Sequence, residues 1–350
     1  MSNVPFLVVL RRRHESSGRE AGEPRPRRTV WAVLAAFGLG LSALIGVALY
    51  GGRGGRAPEE SVLPAPVQEP EPSLPPLEFG PPTPQQRLLE TNTPGVYMPT
   101  ASGRWESAMY GSVRTVQMGK SIVPSFHEGI DIAPTARGRD GRALDEVVAA
   151  ADGTVGYVNR RAGNSDYGLY AVVLHEDPLG PIYTLYAHLD EIEEGLQTGR
   201  AVAKGERLGR MGRTPASVIP LERSHLHFEI GLMLNPDFRS WFAHRRLTPD
   251  HRQFNGWNLV GIPPLAPYVA QSEGRAFRMM DWIEAETPAF EVVVRVQRRP
   301  NFFSQYPALW RGGAHHGGPL VIAASEGGVP LSGRNADPEE VARLGVHPAA

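Results

Sequence analysis

Short apolar runs cut by glycine dominate the middle of the chain. Gly153-Thr-Val-Gly-Tyr-Val158, Tyr170-Ala-Val-Val-Leu174, Ile182-Tyr-Thr-Leu-Tyr186 and the run from Leu226 all have strand length, with Gly163, Gly168, Gly180, Gly195 and Gly205 between them. Repeated hairpin signals of this kind predict a mainly β, antiparallel domain over residues 96–234. In His225-Leu-His-Phe-Glu-Ile230 polar and apolar residues alternate, which predicts a half-buried strand. His225 and His227 then share one face, while Leu226, Phe228 and Ile230 turn to the core. In His127-Glu-Gly-Ile-Asp131-Ile-Ala133, Gly129 and the β-branched Ile130 and Ile132 disfavour a helix, and the even spacing lets His127 and Asp131 face one way.

Beyond residue 234 the pattern changes to α+β. Phe277, Met280 and Ile283 fall at helical spacing within Glu273–Glu286, and Phe290-Glu-Val-Val-Val-Arg-Val296 reads as a strand. Asp337 before Pro338, with Gly345 as the stop, marks a short capped helix. Nothing in 235–350 identifies a chemistry, so its role stays open.

At the other end, residues 30–50 are 21 consecutive residues without charge, enough at about 1.5 Å per residue to cross about 30 Å of hydrocarbon. Seven arginines precede this run and only Arg53 and Arg56 follow it closely, which predicts a cytoplasmic basic segment over 1–29 and a single-pass anchor. The remainder then lies on the periplasmic or extracytoplasmic side of the cytoplasmic membrane. A cleaved signal peptide is the competing reading, although the apolar run exceeds the usual length of such segments. Residues 51–95 are proline-rich and without apolar periodicity, predicting an extended spacer.

Composition narrows the function classes. A formal net charge of -1 over 350 residues gives no reason to expect nucleic acid as a partner. With no cysteine there is no disulfide framework, no thiolate zinc site and no lipid attached through cysteine.

The histidines carry the chemistry. A catalytic zinc takes three N or O ligands at about 2.0–2.2 Å and leaves a fourth position for water. His127, Asp131 and His227 meet that requirement, and His188 and His225 are then placed to relay protons and steady an oxyanion. Taken alone, H-x-H or H-x-x-x-D more often marks surface or satisfied core than a ligand pair; their joint appearance supplies the specificity. Glu229, two residues after His227, is read as supporting the site rather than as a general base. His175 reads as a strand end before Asp177-Pro178, His315 and His316 as members of a glycine-rich loop, and His244 and His251 as solvated.

The order of motifs over 126–231 closely resembles the lysostaphin- and LytM-type zinc metalloendopeptidases, which cleave peptide bonds in bacterial cell-wall peptidoglycan. The match continues through Val148-Ala-Ala-Ala-Asp-Gly153-Thr-Val155, Tyr186-Ala-His188-Leu189 and Val202-Ala-Lys-Gly205-Glu-Arg-Leu-Gly209. The resemblance implies the duplicated hybrid motif fold, with two sheets and zinc in a groove across one of them. It places the ligands on His127, Asp131 and His227 and the catalytic histidines on His188 and His225. Implied partners are peptidoglycan stem or cross-link peptides; protein partners are not indicated. The same family includes domains that have lost ligands and activate other wall hydrolases, which supplies a rival, noncatalytic reading. Two connections depart from the family pattern: the segment between Ala133 and Val147, and Thr214 to Ser224, are both longer than usual. Loops of this kind border a site and shape what enters it.

Overall fold

The computed structural model describes residues 10–11, 74–118, 121–216, 219–248 and 251–343. The expected membrane span at 30–50 lies outside these. Among the described residues no helix is long and apolar enough to cross a membrane.

Among the described residues fifteen strands form the framework: β1 (Leu10–Arg11), β2 (Val113–Met118), β3 (Ser121–Phe126), β4 (Ile130–Ile132), β5 (Glu146–Val148), β6 (Gly153–Asn159), β7 (Leu169–His175), β8 (Ile182–Ile192), β9 (Ala201–Val202), β10 (Arg207–Met211), β11 (Leu226–Met233), β12 (Leu259–Ile262), β13 (Phe290–Val296), β14 (Gly318–Ala324) and β15 (Pro330–Asn335). The main sheet has nine strands. Its path runs β12-β11-β8-β7-β6-β9, with β4 added to β11 and the pair β5 and β10 added to the far end of β8. Every ladder in it is antiparallel, as the hairpin spacing predicts. A second sheet is ordered β1-β13-β14-β15, and β2 with β3 makes a separate hairpin.

The strand β8 organises the site. Its first part pairs with both β7 and β11, and its last residues, from Leu189 on, pair with β10. One face of the resulting sheet, carrying Leu226, Phe228, Ile230, Tyr186 and Val173, packs into the main core. The other face carries the histidines. It is not open to water along its length: β11 is buried at all eight positions. The expected half-buried strand is therefore corrected. Phe254 and Leu259 come from beyond the strand and close this face against Tyr170, Val172, Tyr183, Leu185, Ala187 and Met233.

Two expected boundaries also move. The main sheet continues past residue 234, since β12 pairs with β11 from Ile230↔Ile262 to Met233↔Leu259. The expected spacer over 51–95 ends early, because Phe79, Leu88 and Val96 lie in the core. The backbone of Phe79 exchanges two hydrogen bonds with the Gln271 side-chain amide, both 2.9 Å, and the Gly80 N–H donates to Ala150 O at 2.7 Å. Anchors spaced this far apart leave no periodic signal in a proline-rich stretch.

In the C-terminal region the strand expected at Phe290–Val296 is present with those bounds. The expected helix over 273–286 is confined to Met279–Ala285. Gly274, at φ 71°, ends the preceding helix Ala266–Ser272, so the first part of that stretch is a turn. The short helix Pro338–Arg343 forms as expected, with the Asp337 carboxylate accepting from the Glu339 N–H at 2.7 Å.

Strand β1 lies antiparallel to β13, Leu10 opposite Val292. That pairing and a topology with residues 1–29 across a membrane from β13 exclude each other.

Candidate metal centre and active-site groove

Strand register brings the first three residues together. Along β11, His227 lies opposite Asp131 of β4 on one side and Ala187 of β8 on the other. His127 follows β3 and returns over the pair. Gly129 permits this close approach, because a Cβ there would sit 2.5 Å from Phe228 O and 2.9 Å from the His227 ring. His127 Nε2 is 3.1 Å from Asp131 Oδ1 and 3.1 Å from His227 Nδ1, and His227 Nδ1 is 3.1 Å from Asp131 Oδ1. A tetrahedral ion at about 2.0–2.2 Å from each ligand wants ligand atoms about 3.3–3.6 Å apart. The cluster needs only a slight opening to meet that spacing.

The surrounding hydrogen bonds orient these three atoms inward. His127 Nδ1 donates to Met109 O at 2.9 Å, leaving the Nε2 lone pair for the centre. His227 Nε2 donates to Glu229 Oε1 at 2.8 Å, leaving Nδ1. Asp131 Oδ2 accepts from Arg114 Nη2 at 2.6 Å, leaving Oδ1. Outer partners of this kind fix tautomer and ring orientation at metal sites. The donor set of two imidazole nitrogens and one carboxylate oxygen suits zinc. His127, Asp131 and His227 are the one group of this composition among the described residues.

His225 and His188 stand beside this centre. His225 Nδ1 donates to Arg223 O at 2.7 Å, and its Nε2 lies 3.5 Å from Asp131 Oδ1. His188 Nδ1 donates to Thr214 O at 2.8 Å. The two rings meet edge to face with centroids 4.8 Å apart, and His188 is 5.8 Å from the His227 ring. Each keeps an unprotonated Nε2 as a proton acceptor. Burial pulls both imidazoles below their ordinary value and, in His225, outweighs the opposing pull of Asp131, so both are neutral near pH 7. For His227 burial acts the same way, but the hydrogen bonds and charges of Asp131 and Glu229 outweigh it and raise the ring to about 9.

Glu229 is saturated. Besides His227 it accepts from Tyr167 Oη at 2.7 Å and Tyr183 Oη at 2.8 Å, which leaves it supporting His227, as expected, rather than accepting a proton from water. Arg114 and Tyr167 escape a sequence reading, because an arginine in a hairpin and a tyrosine in a loop carry no spacing signal. His251, expected to be solvated, is half-buried: Nε2 donates to Asn164 O at 2.9 Å and the ring lies 5.7 Å from Tyr170. His175 ends β7 as expected but is buried and held between Asp152 O at 2.7 Å and Thr184 Oγ1 at 2.8 Å. His244 is exposed, and His315 bonds Asn335 Oδ1 at 2.6 Å.

A groove of about 1850 Å³ contains all five residues. The hairpin of β2 and β3 forms one wall; residues 242–260 and the 164–167 loop form another. The two long connections are tied to each other at its rim. Arg137 donates to Leu221 O at 3.1 Å and Glu222 O at 2.9 Å, and Ile219 and Arg223 line the groove.

Residues 125–236 match the model of Peptidase family M23. Similar solved structures include Csd3 from Helicobacter pylori (26% identity over 35% of this chain and 28% of that one, TM-score 0.25) and a zinc-containing peptidase from Vibrio cholerae (24%, over 39% and 36%, TM-score 0.24). The catalytic domain of lysostaphin from Staphylococcus simulans is a third (21%, over 35% and 75%, TM-score 0.25). The chain thus spans about a third of the first two proteins or less. No curated protein matches it. The segment matched by Peptidase family M23, 125–236, contains all five residues of the site, His127, Asp131, His188, His225 and His227.

Proposed function

We propose that this protein is a zinc metalloendopeptidase that hydrolyses peptide bonds in bacterial peptidoglycan. The observation that carries the reading is the convergence of His127 Nε2, Asp131 Oδ1 and His227 Nδ1, each turned inward by its own outer hydrogen bond. Zinc bound there lowers the pKa of a coordinated water to about 7 and polarises a carbonyl. In this reading the chain's own residues do the rest. His225 and His188, neutral and with free Nε2 atoms, accept the proton of the attacking water and return it to the departing amine. Their protonated rings face the tetrahedral oxygen and stabilise its charge. Burial strengthens both effects by excluding water. The groove, open at the surface and bounded by the hairpin, suits an extended peptide.

Peptidoglycan as the substrate follows from the family resemblance, and an extracytoplasmic location follows from residues 30–50. The noncatalytic activator reading is disfavoured because no residue of the set is missing. Incubating purified sacculi with the protein and identifying released fragments by mass spectrometry tests the proposal. New amine and carboxyl ends in stem or cross-link peptides, absent with His227→Ala, support it. Intact peptides despite bound zinc contradict it.

A further inference from the structure

Arg114 stands apart from the set that sequence motifs point to, yet it touches the centre most tightly. From β2 its Nη2 lies 2.6 Å from Asp131 Oδ2 and 3.1 Å from His127 Nδ1. The guanidinium is itself held, because Nε and Nη2 both donate to Ser107 O, at 3.1 and 2.6 Å. A planar fork anchored on a backbone carbonyl has little freedom left, so the carboxylate it grips is fixed as well. Its grip is on Oδ2, the oxygen turned away from His127 and His227, while Oδ1 is the one at 3.1 Å from both rings.

Resting on the zinc reading above, we propose that Arg114 is a positioning residue that keeps Asp131 a one-oxygen ligand. A carboxylate free to rotate can present both oxygens to a cation, raising the coordination number and occupying the place a substrate carbonyl needs. By holding Oδ2, Arg114 leaves that place open. The same contact ties the hairpin of β2 and β3, a wall of the groove, to the centre. Substrate pressed on the hairpin is therefore mechanically linked to Asp131.

The test compares the parent with Arg114→Met, which keeps the stem and loses every donor, and Arg114→Lys, which keeps the charge without the fork. Zinc affinity is measured by chelator competition, and the cobalt-substituted protein by its visible spectrum. Arg114→Met is expected to bind zinc about 10–100-fold more weakly, the range for lost outer partners of metal ligands. Its cobalt bands should weaken, as they do when coordination rises above four, while the far-ultraviolet circular dichroism stays that of the parent. Arg114→Lys should show a smaller loss of affinity and the same weakening of the bands. Should Arg114→Met fail to fold, the cobalt spectrum of Arg114→Lys decides. Parent-like zinc affinity and an unchanged cobalt spectrum in a folded variant overturn the positioning role alone. A parent that binds no zinc overturns this proposal together with the metal site.

Discussion

His188 reaches the cluster because its backbone leaves strand geometry. Its φ is 62°, a region uncommon for residues other than glycine. In a regular β8 it would share a face with Tyr186, which lies in the main core. The irregular register against β7 and β10 turns the ring to the histidine face instead. The motifs named the five residues that the structure brings together, but not this turn, nor Arg114 and Tyr167, whose partners lie 17 and 62 positions away. Two predictions belong at this scale. His188→Ala and His225→Ala should keep stoichiometric zinc and lose turnover by about 10²–10⁴-fold, the usual contribution of a positioned acid or base; near-parent turnover in either removes that residue from the mechanism. Zinc affinity should also fall with pH. The metal-free His227 holds a proton up to about 9, and zinc must displace it, so affinity should drop about tenfold per pH unit below that value. Chelator competition at several pH values between about 6 and 8 measures the slope; a flat profile contradicts a protonated His227.

Among the elements, β11 shows how far a local pattern reaches. The alternation of His225 to Ile230 assigned each residue to its face, whereas the burial of both faces depends on Phe254 and Leu259, which lie 21 and 26 residues past the strand's end at Met233 and have no signal in it. Gly129 was legible as a helix breaker; its need for close packing against Phe228 was not. Gly129→Ala should push β4 from β11, lowering stability by about 1–3 kcal/mol and weakening zinc binding through His127; unchanged values for both would show that the strands tolerate a methyl there. At the end of β7, burial holds His175 down to about 4, against the 6.5 usual for histidine. Below about 6.5 the unfolded chain binds a proton that the folded chain refuses, so stability is full above that pH and is lost as pH falls towards 4. The loss from this group is about 3 kcal/mol. Urea unfolding from about pH 7 to 4.5 should show it, and His175→Gln should flatten that part of the slope; an equal slope in both proteins contradicts the assignment.

For the whole molecule, composition located the apolar run and the proline-rich stretch but not where folded structure begins. Because Phe79 and Leu88 are core residues, the spacer expected over 51–95 is shorter at its C-terminal end. Deleting 57–73 should impair activity on intact walls and spare hydrolysis of soluble peptides; equal activity in cells rejects the tether. Membrane anchoring weighs 21 uncharged residues against a two-residue ladder between β1 and β13. Such a ladder is worth about 0.5–1.5 kcal/mol per hydrogen bond, and each Leu, Ile, Phe or Val near the centre of a membrane span contributes about 0.3–0.6 kcal/mol. The anchored topology is our proposal, and labelling separates the two arrangements. As the chain has no cysteine, Ser16→Cys and Ser102→Cys provide unique labels. In intact spheroplasts an impermeant maleimide should modify the second and not the first; labelling of both contradicts the anchored topology. The most direct test of the central claim is a zinc titration of chelator-stripped protein, followed by the release of peptide fragments from purified sacculi. The account predicts no release without metal and a linear rise that saturates at one zinc per chain. Release by the stripped protein, or none at full occupancy, would contradict it.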